Sequence, residues 1–413
     1  MASTLYICYF GVREPLVQTQ VLPYLREIGK APIAVDGSGE SVEVKVSLLT
    51  FEPSRGERDL AEFAEIKSSL AAEGIEWEWL PYHKRPSAVA TAWDIFRGTI
   101  RVWRMHHREP FDIFHCRVHV PGVMGALARK FSSRKPKILF DIRGFFPEEF
   151  VDAGIWPENG LIFRAAKRVE RWLMKRSDAF VVLTEKAREI LADEIGTRPV
   201  EVIPCCVDIE RFAAATPESR AEMRARLGIA DRRVLAYVGS FGGWYLTEET
   251  ADMFKAFFER YPNAYALILT QGKPEMIEPH LNKRGISPED RLIRKVPSGE
   301  IPMYLSAADV AVSFIKPSYS KQASSPTKNA EYLACGLPII ANAGIGDVDK
   351  LVTEDRVGAL LTEFSPEGYA AALAEIEGLG DISDRCREAA RKHFDLETIG
   401  GANYRELYRK LLL

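Results

Sequence analysis

The chain has few cysteines, no long apolar run and no surplus of basic residues, and each shortage removes a class of protein. Its six cysteines, Cys8, Cys116, Cys205, Cys206, Cys335 and Cys386, form no C-x-x-C pair, and several sit inside apolar runs. A disulfide scaffold or a zinc site needs closer pairing, so they read as reduced core thiols of a cytosolic protein. No apolar stretch approaches the ~20 residues that cross a bilayer. Residues 4–10 are too short and lack the basic lead of a signal segment, and read as a first strand. A net charge of −3 leaves no general cationic surface for nucleic acid. There is no G-x-G-x-x-G fingerprint, which disfavours a dinucleotide dehydrogenase. The absence of a D-x-D motif in an acidic setting and of a His/Cys cluster predicts a site with no metal and no other cofactor.

What is present is material for two cores. With 46% hydrophobic and 27% charged residues, 413 positions suffice for two domains. Short apolar runs alternate with amphipathic segments, the pattern of parallel sheets covered by helices. Strands are predicted at 5–10, 42–49, 76–80, 112–116, 138–142, 179–183 and 200–203, then at 234–239, 264–270, 292–296, 310–314, 337–341 and 357–360. The class is α/β, with doubly wound domains at 1–203 and 204–394. Residues 204–208 and 214–220 read as linker. Residues 395–413 read as a closing helix with Tyr404, Leu407, Tyr408 and Leu411 at helical spacing, after a break at Gly400-Gly401.

The most informative stretch is SSPTKNAEYLACGLPIIA, from Ser324 to Ala341. Ser325 stands where an N-cap hydroxyl belongs, Pro326 where a missing N–H costs nothing, and Gly336 with Pro338 supplies the stop. A short helix follows, whose free N–H groups and positive end suit a phosphate. Lys328 in its first turn adds a full charge. Glu331, one turn on, reaches a ribose diol from nearly the same face, and phosphate followed by sugar is the order of a nucleotide. A Lys–Glu pair at this spacing is also common on solvated helices. The loop Gly239-Ser240-Phe241-Gly242-Gly243 after a predicted strand offers further N–H groups to phosphate, and Lys316 and Lys321 precede the helix.

This string closely resembles the nucleotide-sugar-binding segment of retaining, family-4-like (group 1) glycosyltransferases of the GT-B fold, where K-x-x-E-Y-x-A-C-G-x-P is frequent. The resemblance implies two Rossmann-like domains facing a central cleft, with a C-terminal helix crossing back to the N-terminal domain. It implies an acceptor-binding first domain and a nucleotide-sugar-binding second one. The reaction implied moves a sugar from a nucleotide-diphosphate sugar to an acceptor hydroxyl, with retention and without metal, in polysaccharide or glycoconjugate synthesis. Donor-binding positions are then Gly239, Ser240, Phe241, Gly242, Lys321, Ser324, Ser325, Thr327, Lys328 and Glu331, with Lys328 also catalytic. The sequence departs from the family at three places. Ala323 stands where many relatives carry the first of two glutamates eight positions apart, the Arg and Lys that commonly follow the glycine-rich loop have no match, and Asp141-Ile142-Arg143-Gly144 occupies the place of an expected His. A GT-B nucleotide-sugar epimerase and a non-catalytic nucleotide-sugar-binding protein stay open beside the transferase.

On the acceptor side, residues just after strands are the candidates, because open parallel sheets bind ligands beyond their carboxyl ends. Gly11, Arg117, Arg143 and Glu148 are read as acceptor-binding, for a saccharide or lipid-linked acceptor, with Asp141 and Arg143 as catalytic candidates; an internal Arg–Glu pair bracing the loops explains the arginines equally well. Two helices carry basic stripes. In residues 93–108, Arg97, Arg101, Arg104 and Arg108 oppose an expected core stripe of Trp93, Phe96, Ile100 and Trp103. In residues 161–176, Arg164, Arg168, Arg171 and Lys175 oppose Ile162, Ala166, Val169 and Leu173. A solvated face with acidic partners such as Glu170 is the plain reading, and peripheral contact with anionic lipid at the inner face of the membrane is the functional one.

Overall fold

The computed structural model describes residues 1–34, 41–53, 56–85 and 87–413. The chain divides into two compact units, Met1–Pro204 with Leu396–Leu413, and Cys205–Asp395.

The first unit is built on strands β1 (Ala2–Ile7), β4 (Val44–Glu52), β5 (Ile75–Pro81), β6 (Ile113–Arg117), β7 (Lys137–Asp141), β8 (Ala179–Val182) and β9 (Val200–Val202), with a separate small hairpin of β2 (Ile33–Ala34) and β3 (Ser41–Val42). The seven lie in the order β5-β4-β1-β6-β7-β8-β9 and every pairing is parallel. Strand order reverses between β1 and β6, so ligand-facing loops of this unit follow those strands. The first strand starts and ends earlier than its apolar run predicts, since the chain leaves the sheet after Cys8 and turns Phe10 outward. The hairpin was not legible, being two residues per strand.

The second unit carries β10 (Arg233–Val238), β11 (Ala264–Leu269), β12 (Arg291–Arg294), β13 (Val310–Ser313), β14 (Ile339–Asn342) and β15 (Gly358–Leu361). Their order is β12-β11-β10-β13-β14-β15, again wholly parallel, reversing between β10 and β13. Val234, Ala236 and Val238 pack on one face of the sheet and Leu235 and Tyr237 on the other, as a strand covered by helices on both sides requires. Residues 214–220 are not linker. Thr216 and Ser219 form a reciprocal capping box that opens the helix Pro217–Leu227.

The C-terminal segment belongs to the first unit. Gly400-Gly401 is no break, because Leu396–Gly401 forms a π-helical turn that runs straight into the helix Ala402–Leu412. Tyr404, Leu407, Tyr408 and Leu411 are all buried, as their spacing predicts. The Tyr408 hydroxyl bonds to Thr4 Oγ1 at 3.1 Å and His115 Nδ1 at 2.9 Å, and Tyr404 donates to Asp141 Oδ2 at 3.2 Å.

Asp141, read from the sequence as a catalytic candidate, lies at the centre of a buried charged cluster. It has no exposed surface, and Arg117, Arg143 and His115 approach its oxygens at 3.6, 3.7 and 3.6 Å. Burial alone would raise its pKa, but Arg143, the His115 hydrogen bond and Arg117 hold it down at about 2. The Arg117 and Arg143 side chains are nearly enclosed and also reach the Gln20 carbonyl and side-chain oxygen, so both brace the sheet's exit loops. Glu148 pairs with Lys167 at 2.8 Å rather than with an arginine. Asp141→Asn leaves two buried guanidiniums uncompensated and is expected to cost roughly 3–5 kcal/mol in urea unfolding. The wild-type contribution of a depressed carboxylate is present above its ordinary pKa of 3.8 and fades as pH falls through about 2, so the variant's deficit should shrink across that acid range.

All six cysteines are buried free thiols. Among the described residues no helix is long and apolar enough to cross a membrane.

Candidate nucleotide-sugar site

The second unit gathers its polar machinery where β10 and β13 end. The helix runs Thr327–Ala334, with Pro326 in the cap position and no side-chain cap. Ser325 is not the cap that local sequence suggests, because its Oγ accepts the Cys205 N–H at 3.1 Å. The helix ends as predicted. Gly336 takes φ +78°, and the N–H groups of Leu337 and Gly336 return to the carbonyls of Tyr332 and Leu333, a Schellman closure that only a residue tolerant of positive φ permits. Tyr332, fully buried, locks helix to sheet, since its Oη accepts the Val238 N–H at 2.7 Å at the last residue of β10. The glycine-rich loop is thereby held against the helix.

Lys328 occupies the space between them. Its side chain is buried, and Nζ lies 4.2 Å from the Tyr237 ring centre and 4.4 Å from that of Tyr245, with no hydrogen-bond partner. Gly239 takes φ +142°, which favours glycine, and a methyl group there would stand 2.9 Å from this nitrogen. Burial pushes the Lys328 ammonium down to about 7, with Glu331 offsetting part of the effect. Two aromatic faces stabilise the cation where no protein acceptor does. An unpaired buried amine is costly unless something anionic completes it.

Glu331, half-buried one turn along, is pushed up to about 7 by burial, against the pull of Arg211 and Lys328. Arg211 sits in the short helix Ile209–Phe212, fixed by a 2.9 Å bond to the Ser298 carbonyl. Nothing in the local sequence marked it, because it lies between two stretches that read as linker. Asn329 is likewise new to the site's account: it is buried, and neither amide atom has a protein partner.

The other predicted donor residues are placed unevenly. Gly239, Ser240, Phe241 and Gly242 do form the loop at the end of β10, with Phe241 stacked on Tyr237 at 4.6 Å and Ser240 exposed. Ser324 and Thr327 are half-buried at the helix entrance. Lys321, expected to supply free charge, is buried with Nζ 4.2 Å over the face of Trp244. Ala323 is also buried, so a methyl group closes the place where many relatives hold a carboxylate. A cavity of about 840 Å³ lies elsewhere: Arg233, Asp309 and Pro338 line it at the amino ends of strands, the edge that open sheets do not use for ligands.

Two doubly wound units, the second with lysine, glycine loop and helix entrance meeting at its strand-order reversal, define the architecture of a GT-B protein. Residues 43–211 match Glycosyltransferase Family 4 and residues 219–393 match Glycosyl transferases group 1. The chain belongs to the group 1, family-4-like glycosyltransferases of the GT-B fold. It is 22% identical to a D-inositol 3-phosphate glycosyltransferase of Corynebacterium glutamicum, over 87% of this chain and 85% of that one. It is 25% identical to a GDP-mannose-dependent alpha-(1-6)-phosphatidylinositol monomannoside mannosyltransferase of Mycolicibacterium smegmatis, over 54% and 58% of the two chains. Among solved structures, Anabaena HepE in complex with UDP and glucose has the same fold, with a TM-score of 0.69 at 15% identity over 99% of this chain and 100% of that one.

Proposed function

We propose that this glycosyltransferase moves a sugar from a nucleoside-diphosphate sugar to an acceptor hydroxyl with retention and without a metal ion, in polysaccharide or glycoconjugate synthesis. The observation that carries the reading is the unpartnered, buried Lys328 amine between the glycine loop and the helix entrance. As the anomeric C–O bond breaks, negative charge grows on the diphosphate and positive charge on the sugar ring. Lys328 and the first-turn amides of Thr327–Ala334 supply the compensating charge at the phosphate. The acceptor oxygen then bonds to the anomeric carbon, and its proton leaves with the nucleoside diphosphate. Glu331 takes the ribose diol. Ser325 Oγ already accepts the Cys205 N–H, and Ser240, Ser324 and Thr327 are further hydroxyls able to meet the donor.

A calorimetric screen of nucleoside diphosphates and nucleotide sugars, followed by turnover of the one that binds in EDTA with the product's anomeric proton read by NMR, tests each part. Binding, EDTA-resistant turnover and an unchanged anomeric configuration are expected. No binding by folded protein would overturn the donor site.

The acceptor is proposed to be saccharide or lipid-linked, reached by peripheral membrane contact. The helix Ser87–Arg108 supports this by reversing the expected orientation: Trp93 and Phe96 are 50% and 56% exposed, and Ala90, Gly98, Val102 and Met105 face the core instead. Arg104 and Arg108 are exposed on the same helix, Arg108 paired with Glu78, giving the aromatic-plus-cation pattern of interfacial helices. Trp93→Ser with Phe96→Ser is expected to abolish co-sedimentation with anionic vesicles; equal sedimentation of variant and wild type would sink the membrane reading.

A further inference from the structure

A second built cavity lies in the first unit at the exits of β1 and β4, and the proposed function leaves it unused. About 240 Å³ in volume, it is lined by Gly11, Arg13, Glu14, Glu52, Pro53 and Asp59. It is room for one monosaccharide- or cyclitol-sized ring, below the ~300 Å³ where drug-sized pockets begin.

Glu52, the last residue of β4, has no exposed surface. Its Oε1 is satisfied by the Val12 N–H at 2.6 Å and by the Thr50 hydroxyl, but Oε2 has no partner. That oxygen points at the β1 exit: a methyl group on Gly11 would lie 2.5 Å from it. A carboxylate buried at a strand exit with one oxygen bare is expensive unless a ligand donates to it. Burial raises its pKa, against the Thr50 and Val12 hydrogen bonds and Arg13. The surrounding charge selects the donor. Glu14 and Asp59 add two more carboxylates, while Arg13, the single cation among the described lining residues, is engaged by Asp59 at 2.9 Å and Glu62 at 2.7 Å. A phosphate here would meet like charge, with no free cation among the described lining residues.

We propose that this cavity is an acceptor subsite in which the Glu52 carboxylate receives a hydroxyl or ammonium group of a ring-sized acceptor, and which discriminates against a phosphate-bearing one. The assignment rests on the first unit being the acceptor side of the proposed transferase. It separates this chain from its relative the D-inositol 3-phosphate glycosyltransferase. Glu52 is a binding residue here, and Gly11 is the residue that keeps its oxygen reachable.

The test is titration calorimetry of the full chain with three probes, myo-inositol, streptamine and myo-inositol 1-phosphate, alongside a nucleoside diphosphate. Streptamine is expected to bind at least tenfold more tightly than the phosphate. Glu52→Gln, which keeps an acceptor for Val12 and Thr50, should weaken streptamine at least tenfold, and Gly11→Ala should do the same by filling the approach; thermal unfolding confirms that each variant is folded. Phosphate binding equal to or tighter than streptamine, streptamine binding unaffected in both folded variants, or no binding of any probe to wild type would each overturn the proposal. A wild type that binds streptamine but no nucleotide would sink the donor-site reading and leave this one standing.

Discussion

Lys328→Met is expected to lower turnover by about 10²–10³-fold while weakening nucleotide binding far less, the scale seen when one preorganised donor to developing negative charge is removed. The amine has no protein partner, so its charge is available to the diphosphate, and demand for that charge peaks as the glycosidic bond breaks. The same substitution should stabilise the unliganded protein. Lys328 is held at about 7 against an ordinary 10.5, so its favourable contribution exists above 10.5 and is lost as pH falls through 7. At or below pH 7 the wild type therefore carries a cost on the order of several kcal/mol that methionine removes. Higher stability with lower turnover is the expected signature, read from urea unfolding and steady-state rates. A loss of stability together with unchanged kcat would mean that Lys328 is a structural cation.

The second large effect concerns protons. Glu331→Ala should weaken binding of the nucleotide sugar by about 10–100-fold, one or two hydrogen bonds to a charged group. The wild type should also exchange protons on binding, with a sign that reverses near pH 7, because Lys328 and Glu331 both titrate at about 7 in the free protein. Phosphate raises the Lys328 pKa, and a ribose diol donating to Glu331 lowers the carboxyl's. At pH 8 Glu331 is already ionised and Lys328 mostly neutral, so binding takes up a proton. At pH 6 Lys328 is already charged and Glu331 mostly protonated, so binding releases one. Calorimetry in buffers of different ionisation enthalpy reads both, with a nucleotide sugar as ligand because a terminal phosphate titrates near 6 itself. Glu331→Ala should lose the release at pH 6 and keep the uptake at pH 8. Buffer-independent heats at both pH values would show that neither group meets the ligand.

Much of the site was legible locally. The helix stop at Gly336, the glycine loop after β10 and the shared face of Lys328 and Glu331 all follow from spacing, and the structure places them together. Orientation was less legible. Trp93 and Phe96 were assigned to the core because aromatic side chains usually bury, yet helical periodicity fits either face, and contact with the helix His119–Phe131 through small residues such as Gly98 decided it. Ser325 was assigned to a cap it does not make, since a hydroxyl also bonds distant backbone.

The sequence by itself determined the alternation of strand and helix, the two-fold repetition of that pattern and the residue types at the second unit's ligand edge, because these depend on neighbours within a few turns. Tertiary structure decided charge state and role. Lys328 looks like any surface lysine until Tyr237, Tyr245 and Gly239 close over it, and the burial of Asp141 shows only once Tyr404, 263 residues away in sequence, donates to it. Burial and long-range pairing set the cost of a charge, and neither is encoded in the spacing of adjacent residues.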